Sequence, residues 1–167
     1  ASVSHDGVAI DAAVFLAVME SMAFEEKDIN QLLDKGLTYI DNEEFKKLIG
    51  ELRERCAKTE DWREVRQWIA EEHGYDKYPG NCPMITNHLT LLMALIMGGD
   101  DFQKACMIAC SSGWDTDCNS GNVGCLNGIR LGLDGFSKGT DLRKAVAETH
   151  SEYIYSYIER PVSYTHL

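Results

Sequence analysis

Apolar residues recur at helical spacing along almost the whole chain, and no stretch alternates as a half-buried strand would. Gly7–Phe24 is apolar nearly all round, with Val8, Ile10, Val14, Phe15, Leu16, Val18, Met22 and Phe24, which predicts a central buried helix. Asp28 is placed to cap a short helix bearing Ile29, Leu32, Leu33 and Leu37. Asp41 and Glu44 form a capping box ahead of Phe45, Leu48, Ile49, Leu52 and Cys56. Thr59 caps the next segment, which carries Trp62, Val65, Trp68 and Ile69, and Gly74 ends it.

Tyr75–Pro83 reads as a loop around Pro79-Gly80. A hydrophobic helix over Asn87–Met97 follows, stopped by Gly98-Gly99. Asp100 then caps a helix over Asp101–Ser111, with Phe102, Ala105, Ile108 and Ala109 facing inward. Past a turn rich in aspartate, Gly121, Gly124, Gly128 and Gly132 leave a bare stripe along one helix. Each glycine there costs about 1 kcal/mol relative to alanine, so the stripe predicts very close packing against a neighbour. Thr140 caps a last helix running to about Tyr157. No repeat or linker divides this pattern. The fold class is all-α, a compact orthogonal helical bundle.

The 167 residues suit one domain with a sizeable core. A formal net charge of −11 argues against non-specific binding to nucleic acid or to an anionic membrane. It leaves room for an anionic substrate held locally by a metal. The six cysteines (Cys56, Cys82, Cys106, Cys110, Cys118 and Cys125) form no CxxC and no zinc-ligand spacing. Cys106 and Cys110 read as core thiols, and the usage as a whole points to a reduced, cytoplasmic protein. The longest apolar run, Leu89–Met97, is too short to cross a bilayer. Residue 1 is Ala, and the tail PVSYTHL (Pro161–Leu167) matches a reading frame of a transposon end used to fragment DNA. Residues 161–167 are therefore expected to be adapter-derived, and residues 1–160 to be a piece of a longer protein.

The chemistry concentrates in GWDTDCNSGNVG (Gly113–Gly124). On a helix, positions i and i+2 lie about 200° apart, so Asp115 and Asp117 cannot share a helical face. At about 4 Å their charges repel by roughly 4 kcal/mol at an effective dielectric of 20, so a shared proton or a cation must offset convergence. One reading makes either aspartate an N-cap for the glycine-striped helix. A second is a calcium loop, since Asp115, Asp117 and Asn119 copy the first three EF-hand ligand positions. Ser120 then stands where the sharp-turn glycine belongs, and Leu126 replaces the bidentate glutamate. The third is a hard-cation site for Mg²⁺ or Mn²⁺, completed by ligands from elsewhere.

GWDTDCNSGNVGCLNG strongly resembles the C-terminal signature of the ADP-ribosylglycohydrolase family, the preceding helix with GDDFQKACMIACSSG resembles its approach to that turn, and the opening SVSHDG resembles the Ser-His that the family often has ahead of its central helix. The resemblance covers most of residues 2–135 and implies a partial ADP-ribosylglycohydrolase-like fold. It also implies a site for two Mg²⁺ or Mn²⁺ ions, with Asp115 and Asp117 as ligands and Asp117 the better candidate to bridge both. Cys118 occupies the position where the family usually offers a Thr or Ser hydroxyl; it is either a bystander or a ligand for a softer metal. His5 matches a histidine near the bound ADP-ribose, and its alternative is a surface histidine. Trp114 either packs or lines the pocket. The family's T-D-D-T motif, which holds the remaining ligands, does not occur in this sequence, nor does its acidic proton-transfer residue. The implied activity is release of ADP-ribose from a protein side chain or a small conjugate, with the 167-residue chain inactive by itself. The rival class is a non-enzymatic relative, as among lens crystallins related to this family.

Overall fold

The computed structural model describes residues 1–135, and every regular element among them is helical. Seven α-helices follow in order: α1 (Val8–Met22), α2 (Ile29–Leu37), α3 (Glu43–Cys56), α4 (Trp62–His73), α5 (Met84–Gly98), α6 (Phe102–Ser111) and α7 (Thr116–Gly135). A short 3-10 turn, Tyr75–Lys77, lies between α4 and α5. The expected helix from Thr140 and the tail at residues 161–167 fall outside the described residues.

The central helix is α5, not α1. Helix α5 packs against each of the other six, and its buried positions run unbroken from His88 to Leu95. Helix α1 buries only Ala12, Phe15 and Met19, while Val14 is 38% exposed and Phe24 just beyond it is 70% exposed. Burial of α5 is possible because its two buried threonines find partners on the backbone. Thr90 donates to the Thr86 carbonyl at 2.8 Å, and Thr86 donates to the carbonyl of His73. Gly98 lets α6 approach closely, for a Cβ there would stand 2.4 Å from the Cβ of Ala105. In α2, Gly36 similarly admits the Phe15 ring.

The amphipathic helices follow the sequence pattern closely. Trp62, Val65, Trp68 and Ile69 of α4 are all buried, as are Ile29, Leu32 and Leu33 of α2. Asp28 caps α2 by accepting from the Asn30 and Gln31 amides at 2.8 and 3.0 Å. Three other caps lie one or two residues later than the pattern suggests. Asn42, not Asp41, caps α3 by accepting from Phe45. Asp61 caps α4, with Thr59 instead accepting from the Asp61 amide. Asp101 caps α6 in place of Asp100. In each case the side chain adjoining the first helical residue wins, because only it reaches the free amides of the first turn. Helix α5 likewise begins before Asn87, at Met84, immediately after Pro83.

The glycine stripe of α7 does not pack as expected. A Cβ on Gly121 or Gly132 would meet nothing within 4 Å, and one on Gly124 would make only ordinary contact with Cys106 and Phe102. Gly132 instead breaks the helix, with φ 64° and ψ −171°. Cys106 is half-buried and packs against the core, whereas Cys110 is exposed and is not a core thiol. Among the described residues, no helix is long and apolar enough to cross a membrane.

His88, on α5, sits between the rings of Phe15 and Phe45, with centroids 5.6 and 5.5 Å away. Its burial pushes the pKa down from 6.5 to about 4, so the folded protein holds a neutral imidazole. The unfolded chain binds the proton first on acidification, and this group's stability contribution is lost as pH falls from 6.5 towards 4. We expect His88→Leu to flatten that loss, worth up to about 3 kcal/mol. Urea unfolding of both proteins at about pH 7 and about pH 4.5 measures it; parallel losses would refute the assignment.

Candidate metal centre

The turn Ser112–Asp115 leads from α6 into α7, and its backbone is unusual. Gly113 takes φ 83° and Trp114 takes φ 59°. For a tryptophan this left-handed conformation costs about 1–2 kcal/mol, so neighbouring contacts must hold it. The indole lies between the Arg66 guanidinium, 4.3 Å from its ring centroid, and the stacked Tyr75 ring at 6.0 Å. Arg66 also donates through Nε to the Ser112 carbonyl at 2.9 Å, tying α4 to the turn. Trp114 is thus half-buried packing on the flank of the site.

That turn answers how two aspartates one residue apart converge. Asp115 stands just before α7, and Asp117 lies in its first turn. The helix starts between them, so the helical 200° rule does not separate them. Ligand atoms of Asp115, Asp117 and Cys118 all lie within 4.8 Å of one another. The capping position and the cluster coincide, because Asp115 immediately precedes α7 and its carbonyl accepts from the Asn119 amide at 3.0 Å. The EF-hand reading fails on the backbone: the residues it needs as an open loop are helical from Thr116 onward.

Partial burial raises the Asp115 pKa. Hydrogen bonds from the Cys82 thiol and then the Cys118 thiol outweigh it, leaving Asp115 below the ordinary carboxylate value. The hydrogen bond to Asp115, with the charge of both aspartates, raises the Cys118 thiol above its ordinary value. Burial, then the Cys82 thiol, lifts the Tyr75 phenol to about 12, so it stays a donor.

Five residues that sequence reasoning did not single out complete the site. Asn87, in the first turn of α5, accepts from the Tyr75 hydroxyl at 3.0 Å and lies 3.4 Å from both the Asp115 amide and the Asn119 amide group. Its own NH₂ donates to Cys82 Sγ at 3.2 Å, and Cys82 donates to Asp115 Oδ2 at 3.4 Å. His88 and Asn122 join Asn87, Asp115 and Cys118 in lining a cavity of about 210 Å³. His5 is exposed ahead of α1, hydrogen-bonded to the neighbouring Ser4, and is not among the residues lining this cavity. The structure therefore brings three of the four expected site residues together and leaves His5 apart.

A helical bundle presenting paired carboxylates at a helix N-terminus defines a candidate divalent-cation site. The family model for ADP-ribosylglycohydrolase matches residues 1–165, and the chain belongs to that family. No match was found among curated proteins or among solved structures. Membership places it with hydrolases that act on ADP-ribosylated substrates and are generally metal-dependent.

The strain at Trp114 is measurable. Trp114→Ala keeps the left-handed backbone and loses the stack, whereas Trp114→Gly loses the stack and relieves the backbone. We expect the glycine variant to be the more stable by roughly 0.5–1 kcal/mol in urea unfolding, despite its more flexible unfolded chain. An alanine variant as stable or more so would show that the turn does not hold this conformation.

Proposed function

We propose that this chain forms one wall of the active site of a metal-dependent hydrolase that releases ADP-ribose from a protein side chain or a small conjugate. The observation that carries this reading is the convergence of Asp115, Asp117 and Cys118 at the edge of a cavity in a member of this family. Two carboxylates and a thiol within 4.8 Å fit a divalent cation, Mg²⁺ or Mn²⁺ by the family's habit. When bound, the metal supplies orientation of the ribose hydroxyls and activation of water as an oxocarbenium-like transition state forms.

The chain's own residues divide the remaining work. Asp115 and Asp117 provide the negative charge, Asp117 being the exposed one and the better placed to serve two ions. The dipole of α7 stabilises that charge until a cation arrives. Asn122, half-buried at the cavity wall, offers a neutral amide to sugar hydroxyls, which orients a substrate without adding charge. His5 contacts the ADP-ribose beyond this cavity, where its exposed ring is accessible. A bound cation also reconciles a chain of net charge −11 with a pyrophosphate substrate. On its cysteine usage alone we place the protein in the cytoplasm.

Calorimetry with Mn²⁺ tests the site. Asp115→Asn and Asp117→Asn should each weaken binding by about tenfold or more, or ~1.4 kcal/mol. Unchanged affinity in both variants would refute the ligand assignment. The 167-residue chain, lacking T-D-D-T, should leave an ADP-ribosylated peptide intact. Metal-dependent release of ADP-ribose by the chain alone would overturn the one-wall reading.

A further inference from the structure

We infer that Asn87 is the positioning residue of this site: its side-chain amide fixes Asp115 at the backbone N–H directly and at the carboxylate through Cys82. The inference rests on the metal-site reading above and concerns how one ligand is aimed, not which ion it meets. Asn87 Oδ1 lies 3.4 Å from the Asp115 amide nitrogen, and Asn87 Nδ2 lies 3.2 Å from Cys82 Sγ. Cys82 in turn donates to Asp115 Oδ2 at 3.4 Å. One side chain of α5 thus reaches both the main chain and the carboxylate of the residue that opens α7.

The chemistry of an amide explains why asparagine stands here. Asp115 lies ahead of α7, so its N–H meets no carbonyl of that helix and needs an acceptor from elsewhere. Asn87 Oδ1 supplies it. The same side chain must also donate, to hold the thiol whose own proton is directed at Asp115. A carboxylate cannot donate and an ammonium cannot accept, whereas an amide does both from one plane. Tyr75 fixes that plane. Its hydroxyl donates to Asn87 Oδ1 at 3.0 Å, and its ring stacks on Trp114, the residue before Asp115.

The far side of Asp115 is held as well, since its carbonyl accepts from the Asn119 amide at 3.0 Å. Asn119 returns to the same hub, with Nδ2 3.4 Å from Asn87 Oδ1. Asp115 is therefore oriented before any ion arrives, while Asp117 beside it is exposed. Carboxylate ligands are commonly held by hydrogen bonds of this kind, and losing such a partner weakens metal binding by about 10–100-fold.

The test pairs Mn²⁺ calorimetry with hydrogen exchange at the Asp115 amide in the metal-free 167-residue chain. Asn87→Leu should weaken Mn²⁺ binding about tenfold or more. It should also speed exchange at Asp115 and leave the Ala105 amide, bonded to Asp101 in α6, unchanged. Asn87→Asp, which keeps an accepting oxygen, should restore slow exchange. Cys82 is exposed, so Cys82→Ala spares the core and carries the metal test if Asn87→Leu does not fold. That variant should also bind Mn²⁺ more weakly, and Cys82→Ser, which keeps a donor for Oδ2, should recover most of the loss. A purely structural asparagine would neither single out Asp115 nor respond to a hydroxyl at position 82. Unchanged exchange at Asp115 in Asn87→Leu would overturn the positioning role. So would full Mn²⁺ affinity in Asn87→Leu or Cys82→Ala beside weak binding by Asp115→Asn, a result that leaves the hydrolase reading intact. No Mn²⁺ binding by the unsubstituted chain would overturn both.

Discussion

The side chain of Asn87 is the interaction on which the site depends. Its oxygen takes the Tyr75 hydroxyl and faces the start of α7, while its nitrogen holds Cys82. With two lone pairs, that oxygen saturates on the first strong donor and one more, so the two 3.4 Å contacts share what remains. The result is a directed chain from amide to thiol to carboxylate, each bond setting the polarity of the next. Its anchor is the helix beneath. Because α5 touches every other α-helix described, Asn87 emerges from the most constrained element of the fold. A loop-borne amide could not hold three segments in register.

Much of this architecture was legible in the residues, and the failures have physical causes. The apolar faces of α2 and α4 and the cap at Asp28 depend on neighbours within one or two turns, and the sequence displays those. Cap positions slipped where two candidate side chains stood close together, as at Asp41 and Asn42, since either is chemically suitable and only the backbone decides. The central helix was misjudged because α1 is apolar on nearly every side, whereas α5 carries Thr86, His88 and Thr90; yet two of these bond carbonyls and the third is neutral between aromatic rings. Apolar residues on every side of α1 did not oblige all its faces to be covered, for roughly half of a folded protein's surface is apolar anyway.

At the site the division is sharper. Asp115, Asp117 and Cys118 are neighbours in sequence, and a short motif reveals them. Cys82, Asn87 and Tyr75 lie in a different loop and helix, joined to the motif only once α5 and α7 pack together. Nothing in YDKYPGNCPMITNH distinguishes their side chains from ordinary loop and helix-start residues. The left-handed backbone at Trp114 was equally hidden, since an indole is among the least expected residues there. Its support, Arg66, comes from α4.

Arg130, only 2% exposed, is surrounded on α7 by acceptors from three places: Asn127 of its own helix, the Lys27 carbonyl after α1, and Gly99 and Asp100 between α5 and α6. A guanidinium that deep tolerates no half-made set of bonds, because stripping one partner strands charge in a medium that cannot solvate it. The three segments must therefore seat as a unit or release as a unit. Cooperative unfolding of this end of the bundle is thereby written into one cation, and the helix that bears the aspartates shares its fate.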